Sequence, residues 1–188
     1  MRLFVSVDVD DLAGAIADVQ EPLSGLPGLR LTDPEQAHVT LKFLGDGPAG
    51  GERDHDLDGL EAAIEAAVAD ADVDPFEARL AGVGVFPSPD YIRVVWLGFD
   101  AGGEELTHLH AALEEQTTDL GYDPESHEFT PHVTLARMDN AAAKEDVQRY
   151  VQESDPEAGT IQIEEIRLKE STLTSDGPEY ETVTRFPL

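Results

Sequence analysis

The chain has 188 residues, 40% of them apolar. It has no apolar run of about 18 residues, so its size suits one packed unit and excludes a membrane helix. It contains no cysteine, which excludes disulfides, thiolate metal sites and cysteine nucleophiles. Forty Asp and Glu stand against 12 Lys and Arg, for a net charge of −28. Apolar residues are patterned from end to end, so this charge belongs to a solvated surface and not to a disordered chain.

Such an excess of carboxylates is typical of proteins from salt-saturated cytoplasm, as in a halophilic archaeon. There the Debye length falls to about 3 Å and like surface charges hardly repel. The expectation is a cytoplasmic protein that is most stable and most active in molar salt.

Residues 2–10 alternate as a strand directly after Met1, with no signal-peptide core. A helical stretch runs to about Ser24, and Leu29-Arg-Leu-Thr32 leads to the strand-like 37–44. The Gly-rich, acidic segment from Gly45 to Asp58 contains the longest flexible linker, Gly45 to Gly51. Residues 56–71 show helical spacing and 76–86 read as a strand. After Pro87-Ser-Pro-Asp90 the order begins again. A strand at 93–100 is followed by a helix at 104–120, a strand at 131–137, a helix at 141–152 and a single strand at 161–169. Thr174-Ser-Asp-Gly-Pro178 then turns the chain into a closing strand at 180–186.

This is an internal duplication, residues 2–86 and 92–170, each β-α-β-α-β. It predicts one bilobal α+β domain over residues 1–188, with antiparallel-rich sheets, a pseudo-twofold axis and a central cleft. Both halves carry His-Val-Thr-Leu, at 38–41 and 132–135. In a strand, alternate residues share a face. His38 and Thr40 therefore point one way, as do His132 and Thr134, and the twofold axis sets the two pairs opposite one another. One imidazole can take a proton from water while the other gives one to a leaving oxygen, and threonine hydroxyls can hold the non-bridging oxygens of a phosphodiester. A single His-x-Thr would be an ordinary half-buried strand pair. Two copies at matching positions are far less expected by chance, although duplication alone could preserve a packing role.

The two tetrapeptides resemble the paired His-x-Thr-x motifs of the 2H phosphoesterase superfamily. Further matching segments are Gly82-Val-Gly-Val-Phe-Pro-Ser88, Arg93-Val-Val-Trp-Leu-Gly98, Thr130 to Arg137, and the tail with Ser171, Gly177-Pro178 and Tyr180. They are most similar to the RNA 2′,3′-cyclic phosphodiesterase branch, also called 2′-5′ RNA ligase, over essentially the whole chain. The resemblance implies a bilobal α+β fold and metal-free, cofactor-free hydrolysis of RNA 2′,3′-cyclic phosphate ends to 2′-phosphates. It also implies that His38 is the proton donor and His132 the acceptor. The Gly45 to Asp58 segment and the extreme acidity depart from the family pattern.

Weaker candidates remain. Arg137 could bind phosphate, but strict alternation puts it on the face opposite His132, where it would be a salt-bridge residue. Lys42 shares the His38 face by the same alternation and either contacts substrate or edges the cleft. Phe86 and Tyr91 could stack on a base or simply pack. His108 and His110 are two apart on a helix, do not share a face, and read as surface residues, not a metal pair. His55 and His127 lie in polar segments and read as exposed. No acidic cluster has metal-ligand spacing. Expected partners are RNA with cyclic phosphate ends or small cyclic nucleotides, and no membrane; the protein is expected to be a monomer. Three alternatives stay open: 2′-5′ ligation at the same site, small-nucleotide cleavage in cofactor salvage, and non-catalytic binding of cyclic-phosphate ends.

Overall fold

A computed structural model describes residues 1–50 and 54–188. The end of the Gly45 to Gly51 linker, and with it part of the Gly45 to Asp58 segment, falls outside the described residues. The strands are β1 (Arg2–Asp8), β2 (Leu29–Leu31), β3 (His38–Gly45), β4 (Phe76–Ser88), β5 (Tyr91–Ala101), β6 (Val133–Met138), β7 (Glu157–Ile163), β8 (Glu165–Thr174) and β9 (Gly177–Pro187). The α-helices are α1 (Ala13–Gln20), α2 (Leu57–Ala71), α3 (Gly103–Asp119) and α4 (Lys144–Glu153).

Local chemistry sets the helix limits. The Asp56 carboxylate accepts from the Gly59 N–H at 3.3 Å and caps α2, which buries Leu60, Ala63, Ile64 and Ala67. Glu104 and Glu105 open α3, where carboxylates suit the positive end of the helix dipole. The predicted helix at 141–152 begins later, at Lys144, because residues 141–143 form a turn ahead of it.

Two antiparallel sheets result, ordered β3-β1-β8-β9 and β2-β6-β5-β4-β7. The sequence halves do not coincide with them. β4, from the first half, pairs with β5 of the second sheet, and β8, from the second half, pairs with β1 of the first. The predicted single strand at 161–169 is in fact the end of β7 and the start of β8, which lie in different sheets. The chain changes sheet at the exposed Glu164, a break that apolar-polar alternation cannot reveal. The core is continuous across the layers and includes Leu3, Val5, Val7, Val39 and Leu41 of one sheet and Val95, Leu97, Val133 and Leu135 of the other.

Candidate active site

β3 and β6, which carry the two tetrapeptides, share an irregularity. Val39 and Leu41 are buried while His38 and Thr40 are half-exposed, as alternation requires; then Lys42 is buried and Phe43 exposed. β6 repeats this: Val133 and Leu135 are buried, then Ala136 is buried and Arg137 exposed. In both strands the pairing register slips at that point, opposite Val5 and Ser6 for β3 and opposite Val95 and Trp96 for β6. A bulge adds one residue and so moves every later side chain to the other face. Phe43 therefore joins His38 and Thr40, and Arg137 joins His132 and Thr134. The expectation that Arg137 faces away from His132 fails for this reason. The expectation for Lys42 fails the same way. Its side chain is turned into the core, and Nζ donates to Glu114 Oε2 at 2.8 Å and to the Asp123 carbonyl at 2.7 Å. Lys42 is a buried structural cation off the histidine face.

His38 sits against aromatic rings. Its centroid lies 5.2 Å from that of Phe4 and 5.0 Å from that of Tyr180. Nδ1 is 2.8 Å from the Gln36 carbonyl. A carbonyl only accepts, so Nδ1 holds the proton and the Nε2 lone pair is left for the cleft. The Gln36 side chain also ties down the tail: Oε1 accepts from the Tyr180 N–H at 3.2 Å and Nε2 donates to the Pro178 carbonyl at 3.3 Å. On the neighbouring strands Asp8 accepts from Lys169 Nζ at 3.0 and 3.1 Å, from Arg167, and from the Ser6 hydroxyl at 3.1 Å. Burial pushes the His38 imidazole below its ordinary pKa. The Gln36 hydrogen bond opposes this; Lys169 and Arg137 add to it and the Asp8 carboxylate works against it.

His132 repeats the arrangement with different neighbours. Nδ1 donates to the Thr130 carbonyl at 2.7 Å. The walls are Phe86, at 4.9 Å and edge-on, and Trp96, at 6.2 Å. Trp96 lies over two glycines: a Cβ at Gly84 would stand 2.2 Å from its Cζ2 and one at Gly98 would stand 3.0 Å from its Cζ3. Burial again lowers the imidazole pKa, against the Thr130 hydrogen bond, and Arg137 lowers it further. The Arg137 charge thus lowers the pKa of His38, His132 and Tyr180 alike.

The remaining candidates separate. Phe86 lies in the His132 wall. Tyr91 starts β5, is 59% exposed, and accepts from Arg93 Nη1 at 3.0 Å. His108 is exposed, as is His127. His110, read as a surface residue, instead donates to the Leu41 carbonyl at 2.7 Å and stacks on Phe129 at 4.2 Å. His55, expected in solvent, is buried: Nδ1 meets the Tyr122 hydroxyl at 2.8 Å, and Nε2 meets the Met1 and Gly45 carbonyls at 3.0 and 3.1 Å. It pins the segment before α2 to one end of the antiparallel β1 and β3 pair, where the start of β1 meets the end of β3. Among the described residues no group of three or more His, Asp or Glu is arranged to hold a metal ion, and no helix is long and apolar enough to cross a membrane.

Residues 8–171 match the family model of the 2′-5′ RNA ligase superfamily. The chain belongs to this superfamily. It is 36% identical over 189 residues to an RNA 2′,3′-cyclic phosphodiesterase of Archaeoglobus fulgidus, covering 99% of each chain. It is 34% identical over 175 residues to the protein of the same name from Aeropyrum pernix, covering 92% of this chain and 94% of that one. A crystal structure of a Thermus thermophilus protein, 28% identical, superimposes with a TM-score of 0.79 over 100% of this chain and 98% of that one. The fold is also that of Escherichia coli LigT complexed with 3′-AMP, 23% identical with a TM-score of 0.75, covering 100% of this chain and 97% of that one.

Within this superfamily fold the sequence reading missed Phe43, Trp96 and the Asp8, Arg167 and Lys169 group. Phe43 was hidden by the bulge, although lining up Lys42-Phe43 with Ala136-Arg137 would have marked it as the counterpart of Arg137. Trp96 lay in a quoted segment with two nearby glycines, a pattern consistent with a ring laid over bare backbone. The ion-pair group joins β1 to β8, 161 residues apart between Asp8 and Lys169, and no local pattern announces it.

Proposed function

We propose that this chain hydrolyses the 2′,3′-cyclic phosphodiester at RNA ends and leaves a 2′-phosphate, as one bilobal unit over residues 1–188 acting as a cytoplasmic monomer. The observation that carries the reading is the matched pair of imidazoles. Each donates Nδ1 to the carbonyl two residues back, which leaves its Nε2 to exchange a proton, and burial lowers the pKa of each. The names of the full-length relatives support the same substrate.

In this mechanism His132 Nε2 takes a proton from water as the oxygen attacks phosphorus. The bond from phosphorus to the 3′-oxygen breaks in line, and His38, in its protonated form, gives its Nε2 proton to that oxygen. The product carries a 2′-phosphate and a 3′-hydroxyl. Thr40, Thr134 and Arg137 face the non-bridging oxygens, where charge builds. The role of each histidine follows the family resemblance. The charges around the two differ: Lys169 and Arg137 oppose an imidazolium at His38 and Asp8 favours one, whereas at His132, among the described residues, only Arg137 acts, against it. Phe86 edges the His132 side, and the exposed Phe43 offers a face to the terminal base.

The test is to supply an oligonucleotide with a 2′,3′-cyclic phosphate and identify the product. A 2′-phosphate formed at an undiminished rate in EDTA is expected, since the two imidazoles handle both protons. A 3′-phosphate, or dependence on a divalent ion, would overturn the mechanism. The same site run in reverse would join the cyclic end to a 5′-hydroxyl, as the superfamily's name states. Water at about 55 M favours hydrolysis unless the second end is held in place. A 2′-5′ junction formed when a 5′-hydroxyl strand is added would establish that second reading.

A further inference from the structure

In a chain with 40 carboxylates and 12 cations, a cation with no acidic partner is the exception. Seven of the described Lys and Arg side chains sit in ion pairs: Arg30, Lys42, Arg79, Arg149, Arg167, Lys169 and Arg185. Arg2, Arg93, Arg137 and Lys144 make none with a described residue. Three of these four occur near one end of β5 and β6: Arg93 and Arg137 on the strands and Lys144 at the start of α4. Arg137 on β6 is opposite Val94 on β5, and Arg93 is the next residue. Strands lie about 4.8 Å apart and rise about 3.3 Å per residue, which sets these two backbone positions roughly 6 Å apart. Beyond Arg137, Arg93 and Lys144 line a recess of about 220 Å³ with Tyr91, Asn140, Asp90 and Asp139. Asp139 is already held by Arg30, at 2.7 and 2.9 Å.

We infer that this recess is a second subsite, which takes the phosphodiester 5′ to the cyclic end of an RNA strand. The inference rests on the reading of the cleft given above and extends it from the terminal nucleotide to the strand. Three points argue for it. The unpaired cations continue outward from Arg137 and do not scatter over the surface. The recess is below the roughly 300 Å³ at which small-molecule sites begin, so it suits a backbone group and not a base. Another groove, of about 990 Å³, runs past Trp96 and Pro131 and is lined by Asp100, Glu104 and Glu105. No described Lys or Arg lines that groove, so the cationic recess suits a phosphate chain better. Asp90 opposes the cations of the recess and sets a limit on its strength.

The test compares a 2′,3′-cyclic mononucleotide with a trinucleotide ending in the same base, each measured across a KCl series. The wild type is expected to have a KM about tenfold lower for the trinucleotide. The double variant Arg93→Gln/Lys144→Gln is expected to lose that tenfold and to keep its mononucleotide kinetics and melting temperature. The log-log salt slope of trinucleotide affinity should flatten by about 0.7 for each phosphate contact removed. Equal KM values for the two substrates in the wild type would overturn the subsite and leave the cleft chemistry standing, as would a double variant that shifts both substrates together. No turnover of either substrate by the wild type would overturn the cleft reading and the subsite with it.

Discussion

The His38 and His132 pockets share a backbone plan and differ in charge. His38 begins the bulged β3 and His132 directly precedes the bulged β6; each donates Nδ1 to the carbonyl two residues back and lies against two aromatic rings. Around His38 the adjoining strands supply Asp8, Arg167 and Lys169; around His132 they supply Trp96, resting over Gly84 and Gly98. Duplication accounts for the common plan, and two chemically identical pockets could not divide acid from base. In the proposed mechanism the polarity of the pair therefore comes from what the strand exchange brings alongside. β8 crosses into the first sheet and delivers the cations that hold Asp8, while β4 crosses into the second and delivers Gly84 and Phe86.

The comparison breaks most sharply under substitution of the histidines themselves. A general acid matters only while the leaving oxygen is a poor leaving group. His38→Ala should lose on the order of 10²–10⁴ in rate on a cyclic phosphate and recover much of that loss on a nitrophenyl ester. His132→Ala should stay slow on both, because water still needs its base. Rescue of His132→Ala alone would reverse the assignment.

Asp8→Asn should separate the pockets next. It leaves the nearly buried Lys169 without its carboxylate, at a cost of about 3 kcal/mol, the low end for a broken buried pair, because Arg167 retains Glu165. It also removes the one charge that raises His38 and leaves Lys169 and Arg137, which lower it. The alkaline limb of kcat/KM, set by the acid, should move to lower pH, and the acidic limb, set by His132, should hold its place. Movement of the acidic limb instead would exchange the roles. In the wild type both imidazoles titrate below the ordinary value of about 6.5. Below that pH the unfolded chain binds protons that the folded one refuses. Stability should be full above about 6.5 and fall as the pH drops toward the depressed folded values.

Gly84→Ala tests the other pocket. Its Cβ would stand 2.2 Å from Trp96 Cζ2, and overpacking of this kind costs about 1–3 kcal/mol. A lower melting temperature is expected, with a severalfold fall in kcat that the nitrophenyl ester does not restore, because the displaced ring bears on the base. Restoration by the ester would mean that the strain is felt at His38.

Much of this was legible in the sequence, and the reasons it failed elsewhere are specific. The duplicated His-Val-Thr-Leu, the helices at 57–71 and 103–119 and the buried Val39, Leu41, Val133 and Leu135 follow from short-range periodicity. The faces of Lys42 and Arg137 do not, because one bulge reverses the alternation and pairing register is a property of two strands. The division of residues 157–174 between two sheets, and the pairing of Asp8 with Lys169, depend on contacts far apart in the chain. His55 looked polar and exposed because its partners, two carbonyls and Tyr122, lie in other segments.

The smallest expected effect concerns Phe43 and Arg137, the equivalent positions just past each bulge. They have the same place in the two strands and opposite chemistry. In the proposed mechanism Arg137 offers charge to the phosphate. Phe43 has 60% of its surface exposed on the His38 face and can offer only a flat apolar ring. Stacking on one base is worth about 1–3 kcal/mol, and a ring open to water on much of its surface belongs at the low end. A loss of about 1 kcal/mol is roughly fivefold in KM. The base does not change between ground and transition state, so binding it contributes uniformly and kcat should be untouched. Phe43→Ala should therefore raise KM about fivefold for a cyclic nucleotide at constant kcat and leave an abasic ribose cyclic phosphate unaffected. Equal losses on the abasic analogue, or a fall in kcat, would show that Phe43 supports His38 and not the base.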